Sequence, residues 1–235
     1  MRAGRRLRGW TRALLACALA GACAVAAAAP VHRALIIGVS DYERLPARAA
    51  GGAGPFDLEG PRNDVPRMLR AVRDLGVGEG ETVVLANGQA PGVAAREPTR
   101  AAIMAALDEL GRRSGSGDQV LVYFSGHGSQ SPDLDGDEED GLDEILLPSD
   151  IGTWQDSVQM VENAISDDEF GAAVQKIRDR GAYVWVIVDS CHSGTALRGG
   201  PVPAAADIEI KGAPAAALGI PAKGARAPRA GGARG

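Results

Sequence analysis

Two unbroken apolar runs dominate the hydropathy pattern of this chain. Val184-Trp-Val-Ile-Val188 leads directly into Asp189, Ser190 and Cys191, and Val120-Leu-Val-Tyr-Phe124 leads into Ser125, Gly126, His127 and Gly128. An apolar run without polar alternation suits a strand covered on both faces, as in the parallel sheets of α/β proteins. Such sheets present their chemistry where the strands end and the chain enters a loop. If the two strands are parallel neighbours, Cys191 and His127 meet at one sheet edge, although 64 positions separate them in the chain.

The rest of the pattern alternates strands with helices. Arg33 to Val39 reads as a first buried strand. Val65, Met68, Leu69, Val72 and Leu75 follow helical spacing. Asn63 or Asp64 is the expected cap of that helix, with Pro66 in its first turn and Gly76 as its stop. Thr82 to Leu85 is a short strand. Thr99 caps a helix whose Ile103, Ala106, Leu107 and Leu110 share one face, and Ser114 to Gly117 breaks it. Ile145 to Leu147 is another short strand. Ser166-Asp-Asp-Glu169 has the form of a capping box and opens a helix carrying Phe170, Val174 and Ile177, which Gly181 ends. This alternation predicts an α/β fold with a mostly parallel sheet and no internal repeat. After Leu197 the pattern fails. Residues 198–235 are rich in Ala, Gly and Pro, only Ala206 to Ile210 could pair as a strand, and the segment is expected to be a disordered tail.

The N-terminus changes the picture. Arg2, Arg5, Arg6, Arg8 and Arg12 precede the apolar stretch Ala13 to Val25, and small residues follow. This is the pattern of a cleavable signal peptide, residues 1–28, and predicts a secreted or periplasmic protein. An uncleaved membrane anchor, or a lipoprotein modified at Cys23, is the alternative. Without residues 1–28 the chain holds 20 basic against 30 acidic residues, a net charge of −10. That balance argues against nucleic acid and suits basic ligands or a divalent cation. It also leaves Cys191 as the sole cysteine, a thiol without a disulfide partner in an oxidising compartment.

The candidate chemistry follows. Cys191 is a nucleophile if a neighbouring base raises its thiolate fraction, and otherwise a buried inert thiol. Among three histidines, His32 lies beside the cleavage site and His192 adjoins Cys191, so His127 is the candidate base, with a tight turn whose histidine caps a carbonyl as the alternative. Gly126 and Gly128 allow a sharp turn and close substrate approach. The amides of Gly128 and Cys191 are candidate oxyanion donors. Asp189, two residues before the thiol, is placed to bind a basic side chain, with accepting hydrogen bonds from loop amides as its alternative role. Asp64 is a second candidate acid, with helix capping as its alternative role. The loop from Asp133 to Glu144 is dense in hard oxygen ligands, but Gly136 falls at the fourth position and not the sixth, so the EF-hand pattern fails.

Tyr123-Phe-Ser-Gly-His-Gly-Ser-Gln130, Asp133-Leu-Asp-Gly-Asp-Glu-Glu-Asp-Gly141 and Asp189-Ser-Cys-His-Ser-Gly194 together resemble a type I metacaspase, of the caspase-like peptidase family C14. Leu35-Ile-Ile-Gly-Val39 and Asn63-Asp64 resemble its opening segment, and the likeness covers roughly residues 33–197. The resemblance implies a caspase–haemoglobinase-like three-layer fold, with residues 29–197 as the catalytic domain. It implies a Cys191/His127 endopeptidase that cleaves after Arg or Lys and needs no cofactor for its chemistry. It also implies calcium as an activator, and a basic-residue pocket lined by Asp64, Ser125 and Asp189. Asp167 and Asp168 fall near the family's calcium ligands, with Asp143 of the acidic loop as a third candidate. Three features depart from the family. Pro61 stands where the family often has a Cys. Arg198 stands near an expected calcium-ligand position, and residues 198–235 do not supply the small-subunit strands and helix. The chain is then a truncated product, or borrows the missing part from a partner chain or a second copy that completes the sheet, or is inactive. The alternative function is a catalytically silent caspase-fold module that binds basic peptides or calcium.

Overall fold

The computed structural model describes residues 29–45, 56–87, 94–134, 136, 138, 140–190 and 211–221. Cys191, the signal segment and the stretch Ala206 to Ile210 lie outside the described residues.

The centre is a five-stranded sheet of β1 (His32–Gly38), β2 (Thr82–Ala86), β3 (Ala95–Arg96), β4 (Gln119–Ser125) and β10 (Tyr183–Asp189), in the order β10-β4-β1-β2-β3. Every pairing in it is parallel. Alternate residues of the strands point to opposite faces, and each face has its own core. Ala34, Ile36, Leu121 and Tyr123 pack with Val65, Leu69 and Val72 of α1 (Gly60–Asp74). Leu35, Ile37, Val122 and Phe124 pack with Ile103, Leu107 and Leu110 of α2 (Arg100–Arg113) and with Phe170, Val174 and Ile177 of α3 (Asp167–Arg178). The result is the expected three-layer α/β arrangement.

Local signals explain most helix ends. The Thr99 hydroxyl accepts from the Ala102 amide, and the Ser166 hydroxyl from the Glu169 amide. Only half of the capping box forms, because the Glu169 carboxylate turns away to Arg100 Nη2 at 2.5 Å and ties α3 to α2. The expected cap of α1 is corrected. The helix begins at Gly60, with Pro61 in its first turn and Pro66 inside it. Pro61 needs no amide partner there and fixes a helical φ, so the start moves ahead of Asn63. Asp64 is released from capping.

A second correction concerns the strand that precedes Cys191. The apolar run of β10 is not covered on both faces. Val184 and Val186 pack against the main core, but Tyr183 and Trp185 are 68% and 64% exposed. Trp185 and Ile187 pair with Leu121 and Tyr123, on the face where α1 packs over β1 and β4 and no described helix reaches β10. Among the described residues β10 is one edge of the sheet.

A smaller antiparallel sheet of β5 (Gly128–Pro132), β6 (Leu142–Leu146) and β9 (Ile165–Ser166) continues from the end of β4. β7 (Trp154–Gln155) and β8 (Met160–Val161) form a two-stranded ribbon. The segment read as a disordered tail is also corrected in part. Residues 211–221 dock on the domain with Ala213 and Leu218 fully buried and Ile220 nearly so. Their few apolar side chains suffice because β5 offers an open edge, where Gly128 forms a parallel bridge with Gly212. Among the described residues no helix is long and apolar enough to cross a membrane.

Candidate active site

The site forms where β4 and β10 end together. Their register pairs Asp189 with Ser125, and the Gly126 amide reaches the Asp189 carbonyl at 3.4 Å. The loop Gly126-His127-Gly128 and the segment after Asp189 therefore leave the same sheet edge. Cys191 itself lies outside the described residues.

His127 is 3% exposed and fixed from three sides. Its backbone amide donates to the Tyr42 hydroxyl at 2.7 Å, and the ring centroid lies 4.8 Å from that of Tyr42 and 6.2 Å from that of Phe56, the latter edge-on. Nε2 sits 2.8 Å from the Phe56 carbonyl oxygen. A carbonyl only accepts, so this contact selects the tautomer with hydrogen on Nε2. Gly126 is required for steric reasons, since a Cβ there would stand 2.9 Å from the Tyr42 hydroxyl and 3.1 Å from Phe124 and Val39. Burial pushes the Tyr42 phenol far up, against the amide of His127, so it stays a neutral hydroxyl.

Asp64, Ser125 and Asp189 converge on one point, and a fourth residue occupies it. The ammonium of Lys211 donates to Asp64 Oδ2 at 2.9 Å, to the Ser125 hydroxyl at 2.8 Å and to Asp189 Oδ2 at 2.5 Å. Lys211 is 7% exposed. Burial disfavours its charge, but the hydrogen bonds and charges of Asp189 and Asp64 outweigh that and raise its pKa above the ordinary lysine value. The Tyr123 hydroxyl lies 3.4 Å from Asp189 Oδ2 and closes one side. The same lysine offers its carbonyl oxygen to the Gly128 amide at 3.1 Å. Sequence reasoning missed Lys211, Tyr42 and Phe56. For Lys211 a signal existed, because it is the sole basic residue between Arg198 and Lys223. For Phe56 none existed, because its contribution is a backbone carbonyl.

The acidic residues divide. Asp133 spends its carboxylate on the amides of Gly136 and Glu138, at 2.6 and 3.2 Å, and so shapes its own loop. Carboxylate oxygens of Glu138, Glu144 and Asp167 lie within 4.8 Å of one another. Asp143 and Asp168 instead line an adjoining cavity with Ser131, Ile145 and Ser166. Of the three predicted calcium ligands, only Asp167 belongs to the cluster.

Residues 32–199 match the family model described as metacaspase, peptidase C14 domain. Metacaspase-1B of Aspergillus fumigatus is 35% identical over 167 residues, which cover 71% of this chain and 36% of that protein. Metacaspase-1 of Emericella nidulans is 34% identical over the same shares. Among solved structures, protein GSU0716 from Geobacter sulfurreducens aligns with a TM-score of 0.55 at 28% identity, covering 80% of this chain and 60% of that one. The chain spans little more than a third of the length of these curated relatives.

Proposed function

Because this chain belongs to the metacaspase family, peptidase C14, we propose that it is a cysteine endopeptidase cutting peptide bonds after Arg or Lys. The observation that carries the reading is the acidic well of Asp64, Asp189 and Ser125, which holds the Lys211 ammonium where β4 and β10 end together. Two carboxylates and a hydroxyl suit a lysine or arginine end, and they repel an aspartate.

In the proposed reaction His127 Nδ1 takes the Cys191 proton. The thiolate attacks the carbonyl carbon, and the oxyanion is held by the Gly128 and Cys191 amides. The carbon–nitrogen bond then breaks, and His127 returns the proton to the leaving amine. A water molecule deprotonated by His127 hydrolyses the thioester, which releases the new carboxylate and regenerates the thiol.

Calcium activation is part of the proposal. Glu138, Glu144 and Asp167 offer hard oxygen donors close together, which suits calcium better than a transition metal. A calcium ion there would offset carboxylate repulsion and hold the acidic loop and β6 against the start of α3. Export through the leader 1–28, and a partner strand or second copy on the exposed β10 edge, complete the reading. Trp185 supports the latter, since a large exposed apolar residue on an open edge invites pairing.

The test uses fluorogenic peptides with Arg, Lys or Asp at the cleaved position, with calcium and with chelator. The expected result is hydrolysis after Arg and Lys alone. Cys191→Ala should abolish it, and Asp189→Ala should weaken it mainly through KM. No hydrolysis under any condition would favour a catalytically silent module that binds basic segments.

A further inference from the structure

We propose that the basic segment 222–235 of this chain docks in cis in an acidic cavity beside the β7–β8 ribbon. The cavity has a volume of about 410 Å³ and is bounded by β6, β8 and the start of α3. Asp143 and Asp168 bring carboxylates to it, and Ile145 and Val161 give it apolar walls. Leu134 and Met160 also line it, yet they are 54% and 45% exposed. Among the described residues that line it there is no lysine or arginine. Carboxylates set beside uncovered apolar side chains suit an occupant with long aliphatic stems that end in positive charge. Glu169 on the same rim already receives one, the Arg100 guanidinium, at 2.5 Å.

The chain itself delivers such an occupant. Its last described residues run over the ribbon, where a Cβ on Gly219 would stand 3.8 Å from the Cβ of Trp154. Trp154 pairs with Val161, and Gln155 with Met160, across that ribbon. Neighbouring strands lie about 5 Å apart, so Gly219 is about 10 Å from the cavity wall. An extended chain covers about 3.5 Å per residue, which brings Lys223 within reach. Residues 222–235 hold Lys223, Arg226, Arg229 and Arg234 and no acidic residue. The other positions are alanine, glycine and proline, so only the basic side chains are long enough to enter a cavity.

A calcium ion would satisfy the neighbouring carboxylates of Glu138, Glu144 and Asp167, but it would leave Leu134 and Met160 uncovered. Arginine stems cover them. The tether holds the basic segment at an effective concentration on the order of millimolar, so each contact can be weak. Docking would hold residues 211–221 from their C-terminal end, as the ion pairs of Lys211 hold them from the other.

The test uses the full chain carrying Cys191→Ala, so that no self-digestion intervenes and the outcome does not depend on the peptidase reading. Trypsin should cut after Arg226 and Arg229 at least tenfold more slowly than in a free peptide of residues 222–235. Asp143→Asn with Asp168→Asn, or about 0.5 M sodium chloride, should remove that protection. A zero-length carbodiimide cross-link should join Lys223 to Asp143 or Asp168 within one chain. Arg226→Gln with Arg229→Gln, which alters nothing in the folded domain, should lower its yield at least fivefold. Cutting at the free-peptide rate would overturn the proposal. So would cross-links of Lys223 to other carboxylates alone, or cross-links only between chains, which would assign the cavity to a second copy.

Discussion

Nε2 of His127 lies 2.8 Å from the carbonyl oxygen of Phe56, a residue 71 positions earlier in the chain. The contact fixes which ring nitrogen carries hydrogen. Its geometry depends on Tyr42, whose hydroxyl accepts the His127 amide at 2.7 Å and donates to the Leu147 carbonyl at 3.4 Å. Tyr42→Phe removes both partners from a buried site. The expected cost is about 1–3 kcal/mol of stability, with kcat falling while KM changes little. Urea unfolding and steady-state kinetics on the same variant check this, and a change confined to KM would contradict the positioning role.

Gly126→Ala tests the same assembly by crowding. The new methyl would press on the Tyr42 hydroxyl, Phe124 and Val39, none of which lies at the end of a flexible chain. Overpacking of this kind costs on the order of 1–3 kcal/mol. The thermal midpoint should drop, and kcat should drop further than the stability loss explains.

Asp118 anchors the other end of the sheet. Its carboxylate accepts from the amides of Val31 and Gly115 at 2.8 and 2.9 Å and from Arg33 Nη1 at 2.6 Å, and Arg33 also pairs with Glu81 at 2.9 Å. Burial alone would push the carboxyl up, but the two amides and the Arg33 guanidinium outweigh it and hold it below the usual carboxylate range. A depressed carboxyl stabilises the fold above its unfolded value of about 3.9, and that contribution is lost as pH falls through the lower folded value. Asp118→Ala, which leaves Arg33 short of a partner, should cost about 3 kcal/mol at neutral pH. The gap in urea midpoint between wild type and Asp118→Asn should hold from pH 7 to about 4 and close below. A gap that widens in acid would contradict the assignment.

Trp185 separates folding from association. Its side chain is 64% exposed at the β10 edge, so Trp185→Glu should change stability by no more than about 0.5 kcal/mol. It should also suppress self-association if a second copy covers that edge. Sedimentation of both proteins with matched thermal melts reads the two effects separately. A large stability loss without a change in mass would show that Trp185 serves the fold alone.

Much of the architecture was legible because hydropathy period and caps are local. Thr99 and Ser166 start helices where their hydroxyls meet the expected amides, and Gly76 and Gly181 turn the chain with positive φ. The convergence of Asp64, Ser125 and Asp189 was expected from the family resemblance. The well's occupant was not, because a lysine in an Ala/Gly/Pro-rich segment has no local pattern that links it to Ser125, 86 residues earlier. The exposed face of β10 was misread for a related reason. An apolar run says that a surface wants covering, but not which part of a chain or which partner covers it. Glu138 and Glu144 were passed over because proximity to Asp167 depends on how β6 pairs with β9, which no spacing rule in the loop encodes.

The most direct measurement of the central claim is covalent labelling with a thiol-reactive peptide ketone, carrying Arg or Asp at its reactive end. The Lys211→Gln chain is used so that the well is open. The account predicts one adduct, on Cys191, formed by the Arg probe and not by the Asp probe, and lost in both His127→Ala and Asp189→Asn. Equal labelling by both probes, or no labelling of a folded chain, would contradict a basic-residue-specific Cys191 peptidase.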